Sequence, residues 1–437
     1  MASWKARKNK QGVITSYLIT VSHGRDTNGK KLTETTTFKP TKTTPKAIEK
    51  EVQKFALDFE ERVKTGKYFS GEKVTFYDVS KRWETSEQNK SKEDKLSPAT
   101  FESYQSILNN HVYREIGSMK ISKINPIILQ NMIEKWKTED LAPASIRRYF
   151  AVVSIVFKYA YRRCIIESNP CDRVELPKAS TPSNTDVHCF DVEQVNRFLD
   201  LVENGFTINH PEKTRKNGAP LPAYSEEITF SSQWLAYFYL AIYGGFRRGE
   251  LIALTWDDID FENRTVNIEK ARSRTREGTI TKGPKSKAGY REIQLPAECF
   301  KVLQVWKKEQ RSTMLLIGKE WKGKTGRQFN QNNVFIQIKN GLPMDLSTPS
   351  HKFKEIIQMY NGTCTSAADK LPEITLHELR HTSATLLLAH GTDIETVSHR
   401  LGHSKASVTL DVYGHALKKM DSTASDTLES IFNRKKA

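Results

Sequence analysis

No C-x-x-C pair occurs in the 437 residues, and the five cysteines, Cys164, Cys171, Cys189, Cys299 and Cys364, are scattered and odd in number. That spacing supplies neither a disulfide framework nor a thiolate zinc site. No apolar run approaches the length of a membrane span, and no apolar signal segment opens the chain, so a reducing cytoplasm is the expected compartment. Internal repeats and long low-complexity tracts are missing as well. Acidic residues are the minority, 51 against 68 Lys and Arg, which leaves a net charge of +17. With 37% hydrophobic and 10% aromatic residues the chain can still build packed cores, so the surplus points to a polyanionic partner rather than to disorder. The length exceeds one ordinary core and predicts two or three domains.

The first forty residues are rich in Lys, Arg and Thr. "VITSYLITVS" (13–22) and "KLTETTTFKP" (31–40) read as strands around "DTNGK", where Asn28-Gly29 is a tight-hairpin signal because both residues tolerate positive φ. A helix comes next, with Thr44 as N-cap and Pro45 at its first position. Its residues Ile48, Val52, Phe55 and Phe59 share the face that would cover the sheet, making a compact ββ(β)α module. After a linker at 64–73 come four helical patterns near 76–83, 98–113, 126–136 and 144–163. In the second, Ser97 caps, Pro98 starts, and Phe101, Tyr104, Leu108 and Val112 form the buried stripe. The fourth carries Arg147, Arg148, Lys158, Arg162 and Arg163, which suit phosphate contact and equally suit a solvated helix face. A Pro- and Ser-rich linker (169–186) leads to a second helical region, interrupted by a polar, loop-like insertion at 209–228. Val266 and Ile268, then Ile293 and Leu295, alternate with polar neighbours and predict a small antiparallel sheet with a Lys-rich turn. The remainder is helical.

Three separated stretches carry the residue types for one task. "YGGFRRGELIALTWDDIDF" (243–261) sets Arg247 and Arg248 beside Gly249 and Glu250. Alone, it reads as a helix start with a surface ion pair. "KGPKSKAGYR" (282–291) reads alone as a solvated loop. The third is "HELRHTSATLLLAHGTDIETVSHRLGHSKASVTLDVYGH" (377–415). His377 and Arg380 share one face of a helix ending near Gly391. A short helix at 393–401 then stops at Gly402, leaving His403 at its end and Tyr413 ten residues further on.

The letters H-E-x-x-H at 377–381 admit a zinc site of His377 and His381 with Glu378 as base. A third ligand is needed. Ala384 and Leu387 stand where the extended pattern has Gly and His, so Glu395, His390, His399 or His403 would have to substitute. That reading leaves the arginines and the net charge unused. A phosphodiester reading uses both. Two arginines grip non-bridging oxygens and stabilise a pentavalent transition state, while a tyrosine hydroxyl, with an ordinary pKa of about 10, needs such cations and a base to attack. A lysine can protonate the leaving sugar oxygen, and histidines can move protons.

In this order and at these spacings, "GGFRRGELIALTWDDID", "HELRHTSATLLLAHG" and "SHRLGHSKASVTLDVYGH" resemble the two arginine boxes and the tyrosine segment of the tyrosine recombinase (phage integrase) family. The resemblance implies Arg247 and Arg380 as phosphate-binding arginines, His377 as the proton-transfer residue, His403 as a hydrogen-bond donor, and Glu250 as support. Tyr413 is the implied nucleophile, forming a 3′-phosphotyrosyl link. The family's lysine sits at a β-hairpin tip; Lys285 fits best and Lys287 competes. Gly244, where Thr is common, and the 209–228 insertion depart from the pattern. The implied fold is α+β and multidomain. A three-stranded arm-type DNA-binding domain (1–66) precedes a SAM-like four-helix core-binding domain (74–172) and a mainly helical catalytic domain with a small antiparallel sheet (186–437). The implied activity is that of a site-specific recombinase of a conjugative element or prophage, working as a tetramer on double-stranded DNA at core and arm sites. It would be DNA-associated, with no cofactor, metal or membrane, and with an excisionase and a DNA-bending host protein as further partners. A tail helix at 416–432 would dock on a neighbouring subunit. A non-catalytic DNA-binding regulator on the same scaffold is the alternative, and a zinc peptidase the third reading.

Overall fold

The computed structural model describes residues 2–9, 11–25, 29–64, 73–91, 94–178, 188–214, 220–284, 287–322 and 332–418. Two compact units divide the chain, 1–181 and 182–437.

The first unit has two cores. Strands β1 (Ser3–Lys8), β2 (Ile14–Arg25) and β3 (Lys31–Phe38) form an antiparallel sheet with β2 in the middle. Ile19 and Val21, alternate residues of β2, are fully buried with Ala56 and Phe59 of helix α1 (Pro45–Lys64). Val52 is buried too, and Phe55 stacks on Phe38 at 4.5 Å, so the expected helix face does cover the sheet. Strand β1, SWKARK, buries none of its side chains fully and is paired to β2 through its backbone. Gly29 has φ 76°, as the hairpin requires, while Asn28 lies outside the described residues.

The second core belongs to α2 (Phe76–Gln88), α3 (Pro98–Ile107), which runs on into a π-helical stretch (Leu108–Gly117), α4 (Pro126–Thr138) and α5 (Pro143–Arg162). Local chemistry starts each helix. Thr75 and Asp78 make a capping box, Ser97 accepts from the Thr100 amide, Asn125 accepts from the Ile128 amide, and prolines open α3, α4 and α5. Phe76, Val79, Leu108, Val112, Leu129, Trp136 and Phe157 have no exposed surface.

The second unit begins with α6 (Val192–Asn204). Next come β4 (Phe206–His210), β5 (Lys213–Thr214), β6 (Pro220–Leu221) and β7 (Tyr224–Ile228), which pair as β4–β7 and β5–β6. The segment expected as a loop at 209–228 is therefore a hairpin. Its base is fixed by Phe206, packed 6.1 Å from Phe230 and 5.9 Å from Tyr360, and its rungs by His210 stacked on Tyr224 at 4.4 Å. Polar cross-strand pairs hide such a hairpin from a hydrophobicity pattern.

Helix α7 (Ser232–Gly244) is apolar nearly all round and forms the centre of the domain. After it come α8 (Arg248–Ala253), β8 (Ile259–Asp260), β9 (Thr265–Ile268), β10 (Ala271–Thr275), β11 (Gly278–Lys282) and β12 (Arg291–Gln294). The sheet order is β12-β9-β8, with β10–β11 a separate hairpin. Because Thr275 pairs with Gly278, that hairpin turns at residues 276 and 277. The Lys-rich stretch instead connects β11 to β12, so it is not a hairpin tip. Helices α9 (Ala297–Ile317), α10 (Thr348–Thr363), α11 (Glu378–Ala389), α12 (Ile394–Leu401) and α13 (Ala406–Lys418) complete the unit. The expected tail helix beyond Lys418 lies outside the described residues. No helix among the described residues is long and apolar enough to cross a membrane.

Candidate active site

Helix α7 ends at Gly244, and Gly245 in a left-handed conformation turns the chain toward Arg247. A Cβ at Gly244 would lie 2.1 Å from the Phe246 ring. The Phe246 ring therefore occupies the space that a side chain at Gly244 would need. Arg247 caps α8, and Glu250 accepts from both its amide and its Nη1, each at 2.9 Å. Glu250 is buried and holds a second guanidinium. Arg291 reaches it through Nη2 at 2.8 Å and Nη1 at 3.2 Å, a buried fork. Burial would raise the Glu250 pKa, but the Arg291 hydrogen bond and charge, with Arg247 adding to them, outweigh it and hold the carboxylate low. Arg291 also donates from Nε to the Arg400 carbonyl at 2.7 Å.

Arg291 is the residue that motif reasoning misses. A signal for it exists: it shares the inward face of β12 with Ile293, and a charge at an inward register position needs a buried partner. Arg291→Lys keeps the charge but loses the fork. It should lower thermal stability by about 2 kcal/mol, read by calorimetry.

Helix α11 brings in the next group. His377 stands just before its start, and Arg380, 3% exposed, sits one turn in. Its Nη1 donates to the Gly245 carbonyl at 2.7 Å, and its Nη2 donates to the Leu401 carbonyl and to His403 Nε2 at 3.0 Å. Three of five N–H groups are thereby used. Burial first, then the Arg247 charge, push its pKa down to about 9, which leaves it charged at neutral pH. A guanidinium only donates, so His403 Nε2 must accept. Its Nδ1 then carries the proton, facing Thr409 Oγ1 at 2.9 Å. Burial and the charges of Arg380 and Arg247 hold His403 at about 4. Gly402, with φ 66°, ends α12 and offers its carbonyl to Arg247 Nη2 at 3.4 Å. Arg400 ties the same turn to the Tyr243 carbonyl at 2.9 Å and the Gln294 carbonyl at 3.1 Å.

Tyr413 of α13 is 1% exposed, packed with Ala384, Leu388, Val397 and Leu401. Burial raises its pKa to about 12, against the lowering pull of Arg380 and Arg247. Its hydroxyl meets His381 Nδ1 at 2.5 Å. His381, which the recombinase motif leaves as a mere helix neighbour, is therefore in contact with the tyrosine oxygen. The rings of His377 and His381 stand edge to face, 5.1 Å apart. His377 is held below its ordinary value by burial, then by Arg380 and Arg247. Arg247 and His377 also edge a cavity of about 800 Å³.

Arg247, Glu250, His377, Arg380, His403 and Tyr413 thus gather at the junction of α8, α11 and the α12–α13 turn. Lys285 lies outside the described residues. Lys287 opens a short turn (Lys287–Gly289), and the carbonyl of Ala288 within it lies 3.2 Å from where a Cβ on Gly402 would stand.

The model for the Phage integrase family matches residues 193–420, just over half of the chain. The chain belongs to the phage integrase family. A second model, Phage integrase, N-terminal SAM-like domain, matches residues 75–137 of this integrase. A tyrosine recombinase XerC-like protein of Caldanaerobacter subterraneus is 25% identical over 95% of this chain and 96% of its own. The ICEBs1 integrase of Bacillus subtilis is 24% identical, over 76% and 78% respectively. The fold is similar to that of the Tn1549 transposon integrase solved with a circular intermediate DNA (TM-score 0.59, 20% identity, 80% of this chain and 99% of that one). A lambda integrase dimer bound to a core site also shares it (TM-score 0.52, 17% identity, 94% and 95%). This integrase is a site-specific recombination enzyme of the tyrosine recombinase type, of the kind that mobile elements carry.

Proposed function

We propose that the chain integrates and excises its mobile element through a covalent 3′-phosphotyrosyl intermediate on Tyr413, with Arg247 and Arg380 holding the scissile phosphate. The observation that carries this reading is electrostatic. Arg247 and the nearly buried Arg380 both bond the backbone of the α12 end, at Gly402 and Leu401, and burial first, then these two charges, hold His377 and His403 below their ordinary values, so the site suits an anion. A phosphate entering beside Arg380 finds the N–H groups not used on the backbone, and desolvation makes each worth more than in water. His377 faces the same charges and moves the proton at the phosphate. For His403 to donate from Nε2, as the family pattern implies, that nitrogen must be freed from Arg380 and gain a proton. Glu250 and Arg291 keep Arg247 in place.

Double-stranded DNA is the proposed partner: the Tn1549 and lambda proteins were solved on DNA, and the +17 charge suits a polyanion. We assign arm-site contact to residues 1–66, core-site contact to 74–172 and chemistry to 186–437, acting in a tetramer, with an excisionase and a DNA-bending protein as accessories. The test uses full-length protein, chelator and nicked attachment-site DNA cut from the sequence flanking the gene. A covalent adduct on a denaturing gel, mapped to the peptide holding Tyr413, is expected. Chelator-sensitive chemistry or an adduct elsewhere overturns the reading, and binding without an adduct favours the non-catalytic regulator.

The leaving 5′ oxygen takes its proton from the Lys-rich segment. Lys285→Ala should slow cleavage about 10²–10³-fold, with rescue by a 5′-bridging phosphorothiolate whose sulfur leaves unprotonated, while Lys287→Ala does neither. The reverse result transfers the role to Lys287.

A further inference from the structure

Each imidazole of the site has a different set of partners, and only one of them touches the tyrosine hydroxyl among the described residues. His403 has both nitrogens engaged, Nε2 by Arg380 at 3.0 Å and Nδ1 by Thr409 at 2.9 Å. His377 stands edge-on to His381, 5.1 Å away, on the side of Arg247 and the cavity. His381 Nδ1 lies 2.5 Å from Tyr413 Oη. The direction of that hydrogen bond is set by its surroundings. On its own helix His381 faces His377, Glu378 and Arg380, and from the other packed elements it faces Tyr413 and His403. Burial, then His377, and Arg380 against the single Glu378, hold the imidazole below its ordinary value, while the buried phenol is held above its own. A neutral ring therefore accepts from a protonated hydroxyl.

We propose that His381 is the proton acceptor for the nucleophile, taking the Tyr413 hydroxyl proton on Nδ1 during attack. The Oη–P bond forms and the P–O5′ bond breaks. The phenol proton moves to His381 Nδ1, and the departing 5′ oxygen receives a separate proton from the Lys-rich segment. Religation reverses the transfers: the 5′-hydroxyl attacks phosphorus, and the tyrosine leaves with the proton returned by His381. No further reactant is needed. The inference rests on the reading of Tyr413 as nucleophile. It separates two tasks within one helical turn, with His377 serving the phosphate and His381 serving the phenol.

The test is single-turnover adduct formation on the nicked substrate across pH, with the parent and with His381→Ala, His381→Asn and Tyr413→Phe. DNA affinity and melting temperature are monitored for each, and His381→Asn carries the result if the Ala variant does not fold. In the parent, the rate should fall as pH drops through the His381 titration, because the neutral, accepting form is lost there. His381→Ala and His381→Asn should both be about 10²–10³-fold slower, lose that acid limb, and speed up as alkaline pH ionises the phenol directly. A 5′-bridging phosphorothiolate should restore neither, since the leaving group is not what they impair. Near-parent rates in His381→Asn, whose amide oxygen can accept the hydroxyl but not take its proton at neutral pH, would reduce His381 to a positioning residue and overturn the proposal. Rescue by the sulfur substrate overturns it too, by moving the defect to the leaving group. An adduct formed by Tyr413→Phe is a separate failure, of the nucleophile assignment itself.

Discussion

Tyr413→Phe is expected to abolish covalent DNA attachment, a loss of about 10⁴-fold or more in cleavage, with DNA affinity unchanged. The substitution is close to a pure deletion of chemistry. The ring packs among Ala384, Leu388, Val397 and Leu401, and phenylalanine fills the same volume. The oxygen goes, and with it the hydrogen bond to His381. A half-buried imidazole left without that partner should cost about 1 kcal/mol of stability. Gel-resolved adducts, filter binding and a melting curve on one preparation check all three outcomes. Residual cleavage within about 100-fold of the parent would point to another nucleophile.

Arg380→Ala should have the second largest effect, and it should appear in two measurements at once. The guanidinium bonds the carbonyls of Gly245 and Leu401 and the ring of His403. Removing it leaves buried acceptors unpaired, a loss of about 3 kcal/mol or more in stability. It also removes a donor from the proposed phosphate site, which should slow cleavage by about 10²–10³-fold at a temperature where the variant stays folded. Arg380→Lys should fare little better in either respect, since one ammonium on a flexible stem cannot span the two carbonyls. A lysine variant with near-parent cleavage would show that charge alone is required there.

Most of the helical frame is legible in the sequence because its signals are local. Pro98 and Pro126 open helices, Ser97 caps one, and Val52, Phe59, Leu108 and Val112 are buried at the predicted spacing. The two arginine boxes and the tyrosine segment are legible for the same reason. The hidden features depend on residues distant in sequence. Arg291 meets Glu250 across 41 residues and His381 meets Tyr413 across 32, and neither pairing leaves a spacing signature. The 206–228 hairpin reads as a loop because its rungs pair polar side chains, and polarity alone does not separate a paired strand from a solvated turn. The Lys-rich stretch passes for a hairpin turn because lysines and glycine mark any exposed connection, whereas the turn itself is Arg276 and Glu277.

The bonds from Arg380 to residues 245 and 401 have a mechanical meaning. A guanidinium clamped to the end of one helix and the end of another behaves as a strut, not as a swinging arm. The turn after residue 401 is also the short tether from which the tyrosine helix hangs. Any force that shifts this last helix is therefore transmitted to the strut, and the lever that carries Tyr413 also sets the aim of the Arg380 guanidinium.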